Sequence, residues 1–227
     1  MRNKLIVALD FPTGGEAKSF LSEIGNDVEW VKVGMELFYS EGKEIVTFLK
    51  NKNYKVFLDL KLHDIPNTVA RATNNLLKLS VDMINFHAAG GSQMLKAVSE
   101  LSHKDTLLIG VTQLTSTSEN QMKNEQLIPT SLEDSVLHYT GLCLDSGLNG
   151  VVCSPLEVKA IKEKYAKCIT VCPGVRLNVS ETQDQVRVTS PSAAIQSGAD
   201  FIVMGREITK AKDPKKMISD IYSNMKG

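Results

Sequence analysis

Eight short apolar runs punctuate the chain: Leu5–Leu9, Trp30–Gly34, Lys55–Leu62, Met83–His87, Leu107–Thr112, Gly150–Ser154, Cys168–Cys172 and Phe201–Gly205. They are rich in Val, Ile and Leu with few polar interruptions, as parallel strands covered by helices require. Helical patterns separate them. Thr13 and Glu16 have the spacing of a capping box ahead of Ala17, Phe20, Leu21 and Ile24, which share one helical face. Ser131 with Asp134 predicts a similar start. Ser190-Pro191 and Asp213-Pro214 each put a capping side chain before a proline at the first helical position. Eight strands alternating with about eight helices predict an α/β chain folded as one (β/α)8 TIM barrel over residues 1–227. A doubly wound open sheet is the alternative, because strand count alone does not close a ring.

Two connections exceed the usual short loops. Residues 113–130 and 174–189 are polar, lack strong periodicity, and follow the fifth and seventh predicted strands. In a barrel both stand at the active-site face, where a lid would sit.

Candidate chemistry concentrates in the third strand. Alternation gives Val56, Leu58, Leu60 and Leu62 one face, suited to packing under helices. Phe57, Asp59 and Lys61 take the other, the barrel interior. A carboxylate and an ammonium at the inner C-terminal end of a barrel strand stand where catalytic groups are expected. A buried ion pair, with Asp64 near a helix opened by Pro66, explains the same pattern without function. Asp10 and His87 end the first and fourth strands, and Lys32 sits near the end of the second. Charged groups at equivalent strand ends predict one shared site, although any one alone would more often be a satisfied polar residue. After the last strand, the Gly205 N–H and the Arg206 guanidinium are suited to an anion, since barrels often hold phosphate there. The alternative is a turn glycine followed by a solvated arginine. No P-loop or G-x-G-x-x-G occurs, so neither a triphosphate nor a dinucleotide is indicated.

Composition narrows the class. The 227 residues are 42% hydrophobic and 23% charged, within the globular range. Lys plus Arg and Asp plus Glu number 26 each, and with no basic block nucleic-acid binding is not expected. No apolar run nears the roughly 18 residues of a membrane span. The opening segment has too few apolar residues before Asp10 for a signal peptide, so the cytoplasm is the expected compartment. Cys143, Cys153, Cys168 and Cys172 form no zinc-type pair and read as free, buried thiols.

Phe57-Leu-Asp-Leu-Lys-Leu-His-Asp-Ile-Pro-Asn-Thr68 contains a D-x-K-x-x-D signature. Val31–Phe38, His87–Gly91, Val111–Ser116, Cys172–Arg176 and Val203–Arg206 follow in matching order. On these segments the chain resembles the orotidine 5′-monophosphate decarboxylases along essentially its whole length. The resemblance implies a homodimeric decarboxylase without metal or cofactor, forming uridine 5′-monophosphate and carbon dioxide in the last step of pyrimidine nucleotide synthesis. By motif position, Asp10 and Lys32 would meet the ribose hydroxyls and organise the charges. Asp59 would sit beside the departing carboxylate, and Lys61 would protonate C6. Asp64 and Thr68 would reach into the partner subunit's site. Thr115 and Ser116 would belong to the lid, with Pro173 against the pyrimidine. Arg176 matches a ligand-binding position, and Gln185, Gly205 and Arg206 would take the 5′-phosphate. Two other readings compete. Related phosphosugar enzymes, such as keto-gulonate phosphate decarboxylase and hexulose-phosphate synthase, share the signature but use a magnesium-stabilised enediolate. An acidic metal ligand stands in them where this chain has Lys32, and a lysine opposes a divalent cation. A catalytically silent nucleotide-binding barrel is the third possibility.

Overall fold

The computed structural model describes residues 2–103, 105–177 and 188–226. Its strands are β1 (Leu5–Ala8), β2 (Trp30–Gly34), β3 (Lys55–Leu62), β4 (Met83–His87), β5 (Leu107–Val111), β6 (Gly150–Val152), β7 (Ile169–Cys172) and β8 (Phe201–Met204). All pair in parallel with their sequence neighbours, and β1 also pairs with β8, Leu5 opposite Ile202. The sheet therefore closes into a barrel, and the open-sheet alternative falls away.

The helices are α1 (Gly14–Ile24), α2 (Met35–Glu41), α3 (Lys43–Asn51), α4 (Pro66–Leu77), α5 (Gly91–Ser99), α6 (Glu119–Asn124), α7 (Leu132–Asp145), α8 (Val158–Lys164), α9 (Pro191–Gln196), α10 (Arg206–Thr209) and α11 (Pro214–Asn224). The four predicted starts are present. Thr13, Ser131, Ser190 and Asp213 each accept a hydrogen bond from the third residue of the helix they open. Losing such a cap typically costs about 1 kcal/mol.

Three features exceed the sequence expectation. Gly42, at φ 65°, breaks the segment after β2 into α2 and α3. A one-turn helix, α10, follows β8. The 113–130 segment also contains α6, opened by a capping box between Ser118 and Gln121. Met122 anchors α6 in the core, and the Ile128 N–H returns to the Met122 carbonyl at 3.1 Å. Six residues are too few for the periodicity that reveals longer helices.

Strand alternation sorts the core into two clusters. Ile6, Ala8, Trp30, Phe57, Met83, Ile109, Val171 and Val203 fill the barrel interior. Val7, Val31, Val56, Leu58, Ile84, Leu108, Val151 and Ile202 face outward and pack with the helices. All four cysteines are buried, and none is in a disulfide. Burial pushes the thiol of Cys143 up to about 12 and that of Cys168 up to about 11, which keeps them protonated and unreactive.

Candidate active site

At the C-terminal ends of the strands, the interior changes from apolar packing to a line of charges. Lys32, on β2, donates to Asp10 Oδ1 at 2.9 Å and lies 3.3 Å from Asp59 Oδ2. Lys61 Nζ lies 2.6 Å from Asp59 Oδ1. Lys32 and Asp59 are buried, whereas half of the Asp10 side chain remains exposed. Charge alternates along Asp10, Lys32, Asp59 and Lys61, and the two acids balance the two bases.

This alternation keeps the buried groups ionised. Burial alone would lower the Lys32 pKa, but Asp59 and Asp10 outweigh it and raise it above the ordinary lysine value. Burial would raise the Asp59 pKa. Lys32, Lys61 and the hydrogen bonds from Lys61 and Asn85 reverse that, holding the carboxyl below its ordinary range.

Lys61 reaches this position through an unusual backbone. Its φ is 50°, in the left-handed region, which a non-glycine residue occupies at a cost of about 1–3 kcal/mol. Such a conformation persists only where its surroundings enforce it.

The charges border a cavity of about 240 Å³, whose lining includes Asp10, Lys32, Asp59, Lys61, Thr115, Ser116 and Pro173. Gln113 lies in the same wall, buried and bonded through Nε2 to Ser135 Oγ at 3.2 Å. A smaller recess of about 100 Å³ shares Asp10 and Val203 with it and is bordered by Arg176, Gly205 and Arg206. Glycine suits this recess because a Cβ at Gly205 would lie 3.3 Å from the Ala8 Cβ and 3.4 Å from Asp10 Oδ2. The second long connection is tied at its base. The Arg176 N–H donates to the Thr189 carbonyl at 2.9 Å, and the Thr189 N–H to the Gly174 carbonyl at 3.1 Å.

A larger hollow, about 380 Å³, lies at the opposite end of the barrel among Asn74, Lys78, Asp82 and His103. Its Asp82 is already engaged by Lys50 and the Val56 N–H. The charge line makes the smaller cavity the chemically equipped one.

Most of the predicted residues thus converge. Asp64 and Thr68 do not: both are exposed and stand outside the two recesses, with Asp64 Oδ1 accepting from the Ile65 N–H at 2.6 Å. Gln185 lies outside the described residues. His87 is half-buried beside His63, their ring centroids 5.5 Å apart, and is not part of the cavity wall. Sequence reading missed Gln113 and Asn85. Asn85 sits on the inward face of β4 with Met83 and His87, and that period-two placement was its only signal.

A model of the orotidine 5′-phosphate decarboxylase / HUMPS family matches residues 3–221. The chain belongs to this family. Its similar relatives include proteins of Bacillus cereus and Bacillus mycoides, each named orotidine 5′-phosphate decarboxylase. Each is 49% identical over 235 residues, covering 100% of this chain and 99% of the relative. Among solved structures, orotidine 5′-phosphate decarboxylase from Lactobacillus acidophilus matches with a TM-score of 0.87 at 38% identity, covering 99% of this chain and 100% of that one. The Pyrococcus horikoshii enzyme of the same name gives a TM-score of 0.79 at 21% identity, covering 98% and 99% of the two chains, a likeness of fold.

Proposed function

We propose that this family member converts orotidine 5′-monophosphate to uridine 5′-monophosphate and carbon dioxide without metal or organic cofactor. The observation carrying the reading is the Lys32–Asp59–Lys61 array, its first two members buried, beside a cavity that shares Asp10 and Val203 with the Gly205–Arg206 recess. The full-length relatives named for this activity support it.

The substrate's pyrimidine occupies the cavity of about 240 Å³ against Pro173, with Thr115 and Ser116 over it. Asp10 and Lys32 meet the ribose hydroxyls. The 5′-phosphate lies at Gly205 and Arg206, joined by Gln185, and Arg176 borders that end. The bond from C6 to the carboxylate breaks, carbon dioxide leaves, and the electron pair stays on C6. No conjugated position receives that pair, so stabilisation must be electrostatic. The Lys61 ammonium faces the developing carbanion and transfers a proton to C6. Its neutral amine then regains a proton from water. Asp59 opposes the substrate carboxylate. Two unit charges about 4 Å apart interact by roughly 4 kcal/mol at an effective dielectric near 20. Lys32 and Lys61 offset part of this repulsion, and the remainder vanishes as carbon dioxide departs.

A second reading deserves comparison because the family description also includes HUMPS members. A magnesium-stabilised enediolate needs an acidic ligand on the second strand. Here that strand presents Lys32, whose ammonium lies within 3.3 Å of both Asp10 and Asp59 and so occupies the place of a cation. The catalytically silent barrel has no comparable observation in its favour.

The active unit is a homodimer in this reading, with Asp64 and Thr68 completing the partner's site. Met35 and Tyr39 on the segment after β2, and Ile65 next to Asp64 in the chain after β3, are exposed and supply apolar surface. No helix among the described residues is long and apolar enough to cross a membrane. The cytoplasm is the compartment we infer for a nucleotide-forming enzyme of this kind.

The test follows the absorbance of orotidine 5′-monophosphate with purified protein, with chelator present and with magnesium added. Turnover unaffected by either supports the proposal. No turnover, or turnover only with magnesium, rejects it.

A further inference from the structure

Asn85 is completely buried on β4, yet polar at both ends of its amide. The strand opposite it is irregular. Leu58 pairs with Ile84 and Leu62 pairs with Phe86, so Asp59, Leu60 and Lys61 all stand against Asn85 alone. Extra residues of this kind remove backbone groups from the ladder and re-aim side chains. The Lys61 N–H is one such group, and it donates to Asn85 Oδ1 at 2.8 Å. Asn85 Nδ2 donates in turn to Asp59 Oδ1 at 2.6 Å, the same oxygen that receives Lys61 Nζ. The orientation of the amide is fixed by chemistry, because an N–H only donates and an ionised carboxylate only accepts.

One side chain therefore does two things at the bulge. It stands in for the backbone acceptor that the Lys61 N–H lacks, at the residue held at φ 50°. It also fixes the carboxylate against which the Lys61 ammonium is set. Asn85 itself does not line the cavity.

We propose that Asn85 is a positioning residue of the decarboxylation, aligning the Asp59 carboxylate and the Lys61 backbone so that the Lys61 ammonium faces C6. This inference rests on the decarboxylase reading. Turnover by the unaltered protein tests that reading separately, and the Asn85 variants are judged only against an active parent.

Two variants test it. Asn85→Leu keeps the volume and removes both hydrogen bonds; displacing a catalytic group by about 1 Å lowers kcat roughly 100-fold, with KM nearly unchanged. Asn85→Asp supplies the signature. Its carboxylic acid form matches the amide, donating to Asp59 and accepting from Lys61. Its carboxylate form repels Asp59. The charged and titratable groups on its side are Asp59 and Lys61 on β3, Lys32 on β2 beyond Asp59, and His87 on β4 itself with His63 beside it. Expressing kcat at each pH relative to the parent cancels their own titration.

That ratio should rise as pH falls for Asn85→Asp and stay flat for Asn85→Leu. A purely structural asparagine would lower thermal stability without this recovery. A flat or falling ratio for Asn85→Asp overturns the proposal, as does a kcat for folded Asn85→Leu close to that of the parent. If Asn85→Leu does not fold, the Asn85→Asp profile decides alone.

Discussion

Lys61 Nζ lies 2.6 Å from Asp59 Oδ1, although the two residues are only two apart on one strand. Neighbours on one face of a regular strand project side by side. Here the left-handed turn at Lys61 and the irregular pairing of β3 with β4 change that geometry. In the proposed reaction, the same strand would supply both the acid that opposes the substrate carboxylate and the ammonium whose proton takes its place at C6.

Removal of the ammonium gives the first prediction. Lys61→Ala should lower kcat by at least about 100-fold to 10,000-fold, the usual range for a positioned proton donor. Binding of uridine 5′-monophosphate, measured by calorimetry, should persist. Activity within about tenfold of the parent would remove Lys61 from the proton-donor role.

Subunit exchange gives the second. Asp64 and Thr68 lie outside their own chain's recesses, as residues serving a neighbour would. Inactive Lys61→Ala and Asp64→Ala dimers, mixed under exchange, should regain activity. In half of the sites of a mixed dimer, the intact Lys61 of one subunit meets the intact Asp64 of the other. Verified exchange without recovered activity would refute shared sites.

The phosphate end gives the third. Arg206→Ala should lower kcat/KM by at least tenfold to a hundredfold, the equivalent of about 1.5–3 kcal/mol for a charge-assisted bond. Loss of lid closure over the cavity would add to it. Phosphite should raise turnover of a nucleoside lacking the phosphate, because the free dianion would favour the same closed state. No activation by phosphite would mean that this end anchors the substrate without driving closure.

Acid sensitivity gives the fourth. Burial first, then His63 and Lys61, hold the His87 imidazole below its ordinary value of 6.5, with Asp59 opposing them. The unfolded chain therefore binds more protons at and below that value, and this part of the stability is lost as pH falls through the window beneath 6.5. The urea midpoint should drop between about pH 7.5 and about pH 5.5, and drop less in His87→Asn. Equal drops would assign the sensitivity to other groups.

The barrel and the charge line were legible because each follows a short-range rule. Apolar runs located the strands, and alternation placed Asp10, Lys32, Asp59 and Lys61 on one interior face. Asn85 was not legible. One polar residue in an apolar strand announces no partner, and its role depends on a mismatch between β3 and β4 that appears only when the strands pair. Gln113 escaped for a similar reason, since its partner, Ser135, belongs to a helix after the long connection. The family resemblance, not alternation, singled out Asp64 and Thr68.

The β1–β8 seam joins Leu5 to Ile202 and Val7 to Met204, nearly the whole chain apart. Contacts so distant in sequence are slow to form, because chain entropy is lost before they reward it. Asp10 follows β1 and Gly205 follows β8, so the cavity wall is finished only when that seam shuts. A nascent chain must expose one edge of β1 until its final strand leaves the ribosome. The return of catalysis during refolding would therefore time the closing of the ring. A chain cut short before Phe201 would retain two unpaired edges, on β1 and β7, able to recruit strands from other molecules.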